Sequence, residues 1–204
     1  MQGGRASVGQ YEFNAADQAD PMVARILDAG EECIRRFGIR RTSVGEVARV
    51  GKMSRGSIYR HFGDKDTLVE AVFTRLQQAF LNRTEAAMEG LPTLVDKVAY
   101  AVVMGRQDAA EGIYASLAQT EPETVAMRYL APDFYARSVA FWPGHIEQAQ
   151  AAGEISTTVD VATATDLVMR LAVSLVLFPD MGLKLKTHPE ISAYLQRMLT
   201  RGLG

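Results

Sequence analysis

The sequence predicts an all-α chain: a small three-helix head near the N-terminus, then a larger helical bundle, about nine helices in total. Three observations carry this. Apolar residues recur at three- and four-residue spacing in one segment after another, which is the period of a helix face, and no stretch shows the period-two alternation of a strand. Most of these segments open on a capping Asp or Ser or on a proline, and close on a glycine. Residues 42–65, TSVGEVARVGKMSRGSIYRHFGDK, hold two short helical patterns separated by a turn with a glycine, the layout of a helix-turn-helix.

Residues 1–19 are rich in Gly, Gln and Ala, with Ser7 among them, lack periodicity and read as a disordered arm, with Arg5 its one basic residue. Asp20-Pro21 opens the first helix, since an N-cap acid followed by proline at the first helical position suits a helix start. Its stripe is Val23, Ile26, Leu27, Gly30, Ile34 and Phe37; Gly38 ends it, and Arg35, Arg36, Arg40 and Arg41 gather at that end. Their ordinary role there is to complement the helix dipole. Arg40 or Arg41 could also reach a phosphate. Cys33 falls in the same pattern and reads as a small buried hydrophobe.

Ser43 and Glu46 have the spacing of a capping box, Val44, Val47 and Ala48 share a face, and Gly51 is placed to end this helix in a left-handed residue. Ser54 caps the next helix, which runs to Phe62 before Gly63. At about 100° per residue, Ile58 and Phe62 face the core. Ser57 and His61 share one flank, Arg55 and Tyr59 the other, and Gly56 and Arg60 lie opposite the core. Donors on both flanks of a short helix suit the major groove, with a phosphate backbone on either side.

Asp64 caps a long helix with a stripe from Leu68 through Phe80 to about Glu89, closed by Gly90. Pro92 opens another, expected to end near Gly105, with a short one from about Asp108 to Ala118. Pro122 and Pro132 start further segments, and Pro143-Gly144 should kink or split a helix between Asp133 and Ala152. Asp160 caps a helix to Phe178 that is apolar almost all round, and Pro189 opens a last amphipathic one. A helix apolar on every side must be buried on every side.

The pattern T-S-V-x-E-V-A…G…S-R-G-S-I-Y-R-H-F-x-D-K-x-x-L, within a match from about Asp20 to Leu68, closely resembles the N-terminal domain of TetR-family transcriptional regulators. Gly45 departs from the pattern at a position that reads a base in some members. Direct readout would then lean on Arg55 and Tyr59. The resemblance implies a homodimer on a double-stranded DNA operator. Ser54, Arg55, Gly56 and Tyr59 would enter the major groove, while Thr42, Ser43, Ser57, His61 and Lys65 would hold phosphates. It also implies that the last two long helices form a four-helix dimer interface, here through Leu167, Leu171, Leu175, Leu195 and Met198. The alternative for these helices is a monomer's central core. An effector pocket is implied in the body, and the aromatic and methionine residues Phe80, Tyr100, Met104, Tyr114, Phe134, Phe141 and Trp142 are its candidates.

Charge agrees with this division. Residues 21–66 hold ten Lys and Arg against six Asp and Glu, a local +4 within a chain of net −2, so the electrostatic footprint lies on the head. The expected division is an arm (1–19), a DNA-binding domain (20–66) and a ligand-binding and dimerisation domain (67–204). A single cysteine excludes an internal disulfide. The three histidines lack metal-ligand spacing, and no phosphate loop or nucleophile motif is present. No metal, cofactor or catalytic group is expected. With no signal peptide and no apolar run long enough to span a bilayer, the expected location is the cytoplasm. The reading is a repressor released by a small apolar or amphipathic effector. The alternatives are a constitutive architectural DNA binder and, behind it, a helical enzyme carrying the motif.

Overall fold

Capping residues and prolines cut the chain into eleven helices among the residues that the computed structural model describes, 20–179 and 182–202. They are α1 (Pro21–Arg41), α2 (Val44–Val50), α3 (Arg55–Phe62), α4 (Lys65–Met88), α5 (Leu94–Ala110), α6 (Gly112–Thr120), α7 (Pro122–Tyr129), α8 (Pro132–Ala140), α9 (Pro143–Ala151), α10 (Val161–Leu177) and α11 (His188–Gly202). No strand occurs among the described residues. The expectation for an arm over residues 1–19, with Arg5, lies outside them.

The starts follow from side-chain oxygens that accept free N–H groups in the first turn. Asp20 accepts from Met22 N at 2.7 Å, Asp64 from Thr67 N at 2.7 Å, and Asp160 from Thr163 N at 2.9 Å. Thr93, one residue beyond Pro92, caps α5 through Asp96 N at 3.1 Å. Of the kink or split expected at Pro143-Gly144, the split is found: the segment forms two helices, α8 and α9.

Two glycines act differently from the expectation. Gly51 has a right-handed φ of −76°, and the left-handed residue of that turn is Lys52, at φ 50°. Gly51 is needed for space instead, because a Cβ there would run into Met53 and Ala29. Gly105 does not end α5. A Cβ on it would lie 3.0 Å from Val176 Cγ2, so the glycine lets α5 and α10 approach closely. The helix continues to Ala110, and the next begins at Gly112 rather than Asp108.

The chain forms two compact units, divided differently from the expected cut at 66/67. The first comprises residues up to Ala79 together with Gly112–Ala126. Its core joins Ile26, Leu27, Cys33 and Ile34 of α1 to Val47, Ile58, Phe62, Leu68 and Val72, and takes in Ile113, Tyr114 and Leu117 of α6. Burial pushes the Cys33 thiol pKa up, as for an inert packing residue. The second unit comprises Phe80–Glu111 and the chain from Met127 onward. Here α5 packs on α10 and α11, around Val98, Val102, Trp142, Ile146, Val168, Ile191 and Leu195. Arg106 of α5 donates to the Leu175 carbonyl at 2.7 and 2.9 Å and to that of Leu185, holding the C-terminal end of α10.

Candidate nucleic-acid interface

The helix-turn-helix is fixed by hydrogen bonds at every joint. Ser43 Oγ accepts from Glu46 N at 3.2 Å to start α2. The second half of the expected capping box is not used: the Glu46 carboxylate turns to Arg49, 2.8 Å away. At the turn, Gly51 N donates to Val47 O and Met53 N to Ala48 O, each at 2.9 Å. Arg25 of α1 donates to the carbonyls of Gly51 and Lys52 at 2.9 and 3.3 Å. That clamp holds the sharp corner between the helices, and it had no signature in the sequence because its partners lie 26 and 27 residues away.

Ser54 Oγ accepts from Ser57 N at 3.0 Å and starts α3, with the Ser57 hydroxyl also 3.0 Å away. Ile58 and Phe62 are buried against the core. Arg55, Gly56, Tyr59 and Arg60 are exposed on the other side, Tyr59 at 51%. Gly63, at φ 73°, closes the helix. Asp64 then starts α4, and its carboxyl is held below the usual range by hydrogen bonds from Thr67.

The residues expected at phosphates divide. Ser43 is exposed, and Ser57, His61 and Lys65 are half-exposed. Lys65 Nζ donates to Arg40 O at 3.3 Å, and an ammonium has two further donors. Thr42 is a correction: it is buried, and its hydroxyl donates to Gly38 O at 2.7 Å, so it braces the α1 end instead of facing solvent. Of the arginines at that end, Arg35 and Arg36 pair with Glu32 and Arg40 pairs with Glu123. Arg41 is exposed with no ion-pair partner among the described residues.

A second unforeseen residue sits beneath this end. Glu121 is 5% exposed and accepts from Arg40 N at 3.0 Å. A Cβ on Gly38, at φ 77°, would collide with its carboxylate. The glycine therefore both turns the chain and admits Glu121. Only a contact across 81 residues reveals this.

The expected effector residues do not form one group. Tyr114 belongs to the core of the first unit, packed on Phe73 at 5.8 Å between ring centroids. Trp142 is itself core of the second unit; Phe141 and His145 lie against it, while Tyr100 is half-buried there. His145 Nε2 is 2.9 Å from Glu85. Phe80 and Met104 are half-buried, and Phe134 meets Tyr129 edge-on at 5.2 Å. Burial, with the nearby Asp108 charge, pushes the Tyr129 pKa up to about 12. Burial also raises Asp108, which pairs with Arg83 at 3.1 Å. Of the expected dimer residues, Leu167, Leu171 and Leu175 are half-buried and Met198 is 44% exposed. Leu195 is a correction, since it is fully buried inside the protomer and has no surface left for a partner.

No group of three His, Cys, Asp or Glu among the described residues could hold a metal ion. No helix of theirs is long and apolar enough to cross a membrane.

A capped helix with one buried side and an exposed face of Arg, Gly and Tyr, on a basic head, defines a helix-turn-helix DNA-binding protein. Residues 26–72 match the family described as bacterial regulatory proteins, tetR family. The chain is 26% identical over 164 residues to the HTH-type transcriptional regulator UidR of Escherichia coli, covering 78% of this chain and 81% of that protein. In fold it is similar to a TetR-family transcriptional regulator from Pectobacterium atrosepticum (TM-score 0.68, 19% identity, 93% and 97% of the two chains). It is also similar to the transcriptional regulator FadR from Bacillus subtilis in complex with stearoyl-CoA (TM-score 0.61, 17% identity, 89% and 99%). Residues 26–72 are thus a DNA-binding domain of the tetR type, carried on a chain with the fold of such regulators.

Proposed function

We propose that this regulator is a homodimeric repressor that leaves its operator when a small apolar or amphipathic effector binds the second unit. The observation that carries the DNA half is the exposed face of α3, with Ile58 and Phe62 anchored beneath it. Arg55, Gly56, Tyr59 and the Ser54 cap enter the major groove. Ser43, Ser57, His61 and Lys65 hold phosphates, joined by Arg41 and Arg60, which have no ion-pair partner among the described residues. In role, residues 20–66 read DNA and residues 67–204 bind effector and partner. Leu167, Leu171, Leu175 and Met198 form the seam between protomers.

The effector half rests on the half-buried aromatics of the second unit and on the relative whose fold holds stearoyl-CoA. Phe80, Tyr100, Met104, Phe134 and Phe141 line the site, with Tyr129 added beside Phe134. The core residue Trp142 reports on it. An effector releases DNA only by binding the DNA-incompetent arrangement more tightly. The connecting element is α4, one continuous helix from Lys65 to Met88.

The deciding experiment titrates candidate effectors, a long-chain acyl-CoA first, with and without operator selected from random DNA, following Trp142 fluorescence. Coupling of this kind is typically about 1–3 kcal/mol and reciprocal, so operator should weaken effector binding by the same factor that effector weakens operator binding. Equal effector affinity in both titrations would leave a DNA-binding protein with a passive pocket. We assign no catalytic role to any residue.

A further inference from the structure

The guanidinium of Arg55 lies against α2 at Gly45. A Cβ on Gly45 would come within 2.8 Å of a terminal nitrogen of Arg55 and 3.2 Å of both its Cζ and its Nε. The flat end of the arginine thus covers the space that any side chain at position 45 would take. Backbone geometry does not demand a glycine here: Gly45 is the second residue of α2, and its φ is not positive. Alanine would be the better helix former. What the glycine supplies is room.

Charge does not hold the arginine there. In the same unit Arg35, Arg36, Arg40, Arg49 and Arg75 are paired with carboxylates, and Arg25 with two carbonyls. Arg55 has no hydrogen-bond or ion-pair partner among the described residues. It also rests near the N-terminus of α2, the helix end that does not attract a cation. Shape alone seats it, and its donors stay free for acceptors in a groove.

We propose that Gly45 is a specificity-determining residue: it is the seat that orients the Arg55 guanidinium, and it thereby sets which base edge Arg55 meets. This rests on the base-reading role proposed for α3 and deepens it. A bidentate grip on guanine O6 and N7 requires the plane of the fork to arrive in one orientation. A side chain already confined by a rigid helix loses less freedom on binding than one that is loose on the surface. Gly45 touches no base in this account and acts through Arg55.

The test selects preferred sites from randomised duplexes with the wild type, Gly45→Ala, Arg55→Ala and the double variant, and measures affinity at each base position. The wild type should prefer one base pair per half-site by about 5- to 150-fold, the range of a bidentate contact, and Arg55→Ala should abolish that preference. Gly45→Ala should weaken it or move it to a neighbouring pair, with affinity for random DNA unchanged and the melting temperature no lower than that of the wild type. In the double variant the loss should match that of Arg55→Ala alone, because two changes acting through one side chain do not add. The proposal is overturned if Gly45→Ala keeps the wild-type preference, or if the two losses add. Failure of the underlying reading looks different: the wild type would select no sequence, or Arg55→Ala would lower all affinities equally.

Discussion

Arg25 and Glu121 hold two corners of the first unit without any signature in their own neighbourhoods. Each works by filling a backbone need: the carbonyls of Gly51 and Lys52 for Arg25, the Arg40 N–H for Glu121. Removing one partner of a buried hydrogen bond costs about 1–3 kcal/mol, because the other group is left dry and unmet. Glu121→Ala should therefore lower the melting temperature by roughly 2–12 °C, taking about 2–4 °C per kcal/mol for a chain of this size. Glu121→Gln keeps an acceptor and should recover most of the loss; an equal drop for both variants in thermal unfolding would show that the charge matters instead. Arg55→Ala belongs to this scale too. It should cost about 1–3 kcal/mol per half-site at one base pair, read by competition binding on single-base variants of the operator. A uniform loss across sequences would make Arg55 a phosphate contact.

Among the elements, the caps are the most exposed to test. Asp64 accepts from Thr67 N in the first turn of α4, and Asp64→Ala should cost about 0.5–2 kcal/mol, as N-cap losses do. Its carboxyl pKa is depressed in the folded state. Its contribution is therefore present above the unfolded value of about 3.9 and lost as pH falls through the lower folded one. Wild type and Asp64→Ala should differ in urea midpoint at neutral pH and converge at the acid end; a constant gap would place the effect outside the carboxylate. These caps were also the most legible part of the sequence. Asp20, Ser43, Ser54, Asp64 and Asp160 all cap as read, since a cap and its N–H lie two or three residues apart. Glycine was less legible. Gly51 does end α2, though without the expected left-handed φ, while Gly105 does not end α5 and is packed against Val176, distant along the chain. The recognition helix was readable because its sides are set by its own period. The effector candidates were not, because an aromatic in a core and one in a pocket look alike until packing separates them, as it separates Tyr114 from Phe134.

For the whole molecule, the first expectation is electrostatic. Arg41, Arg60 and Lys65 in each of two heads make about six cationic phosphate contacts, so log affinity should fall with log salt at a slope of about −5. Lys65→Ala should flatten it by about two units, one per head, while site preference stays as it was; a salt-independent affinity would remove DNA binding from this face. The second expectation concerns assembly. Met198 on α11 is 44% exposed and apolar, so Met198→Glu should sediment as a folded monomer where the wild type is a dimer, because an unpaired charge is costly in a closed seam. An unchanged dimer would move the seam elsewhere. The composition of the first unit also bears on engineering. Ile113, Tyr114 and Leu117 complete the core under α1, and Glu121 fills the corner at Gly38. A head cut out as residues 20–79 would carry holes where these side chains belong. Anyone building a chimaera with another operator specificity must graft two stretches together, the N-terminal one and residues 112–126, because the reading head is written twice along the chain.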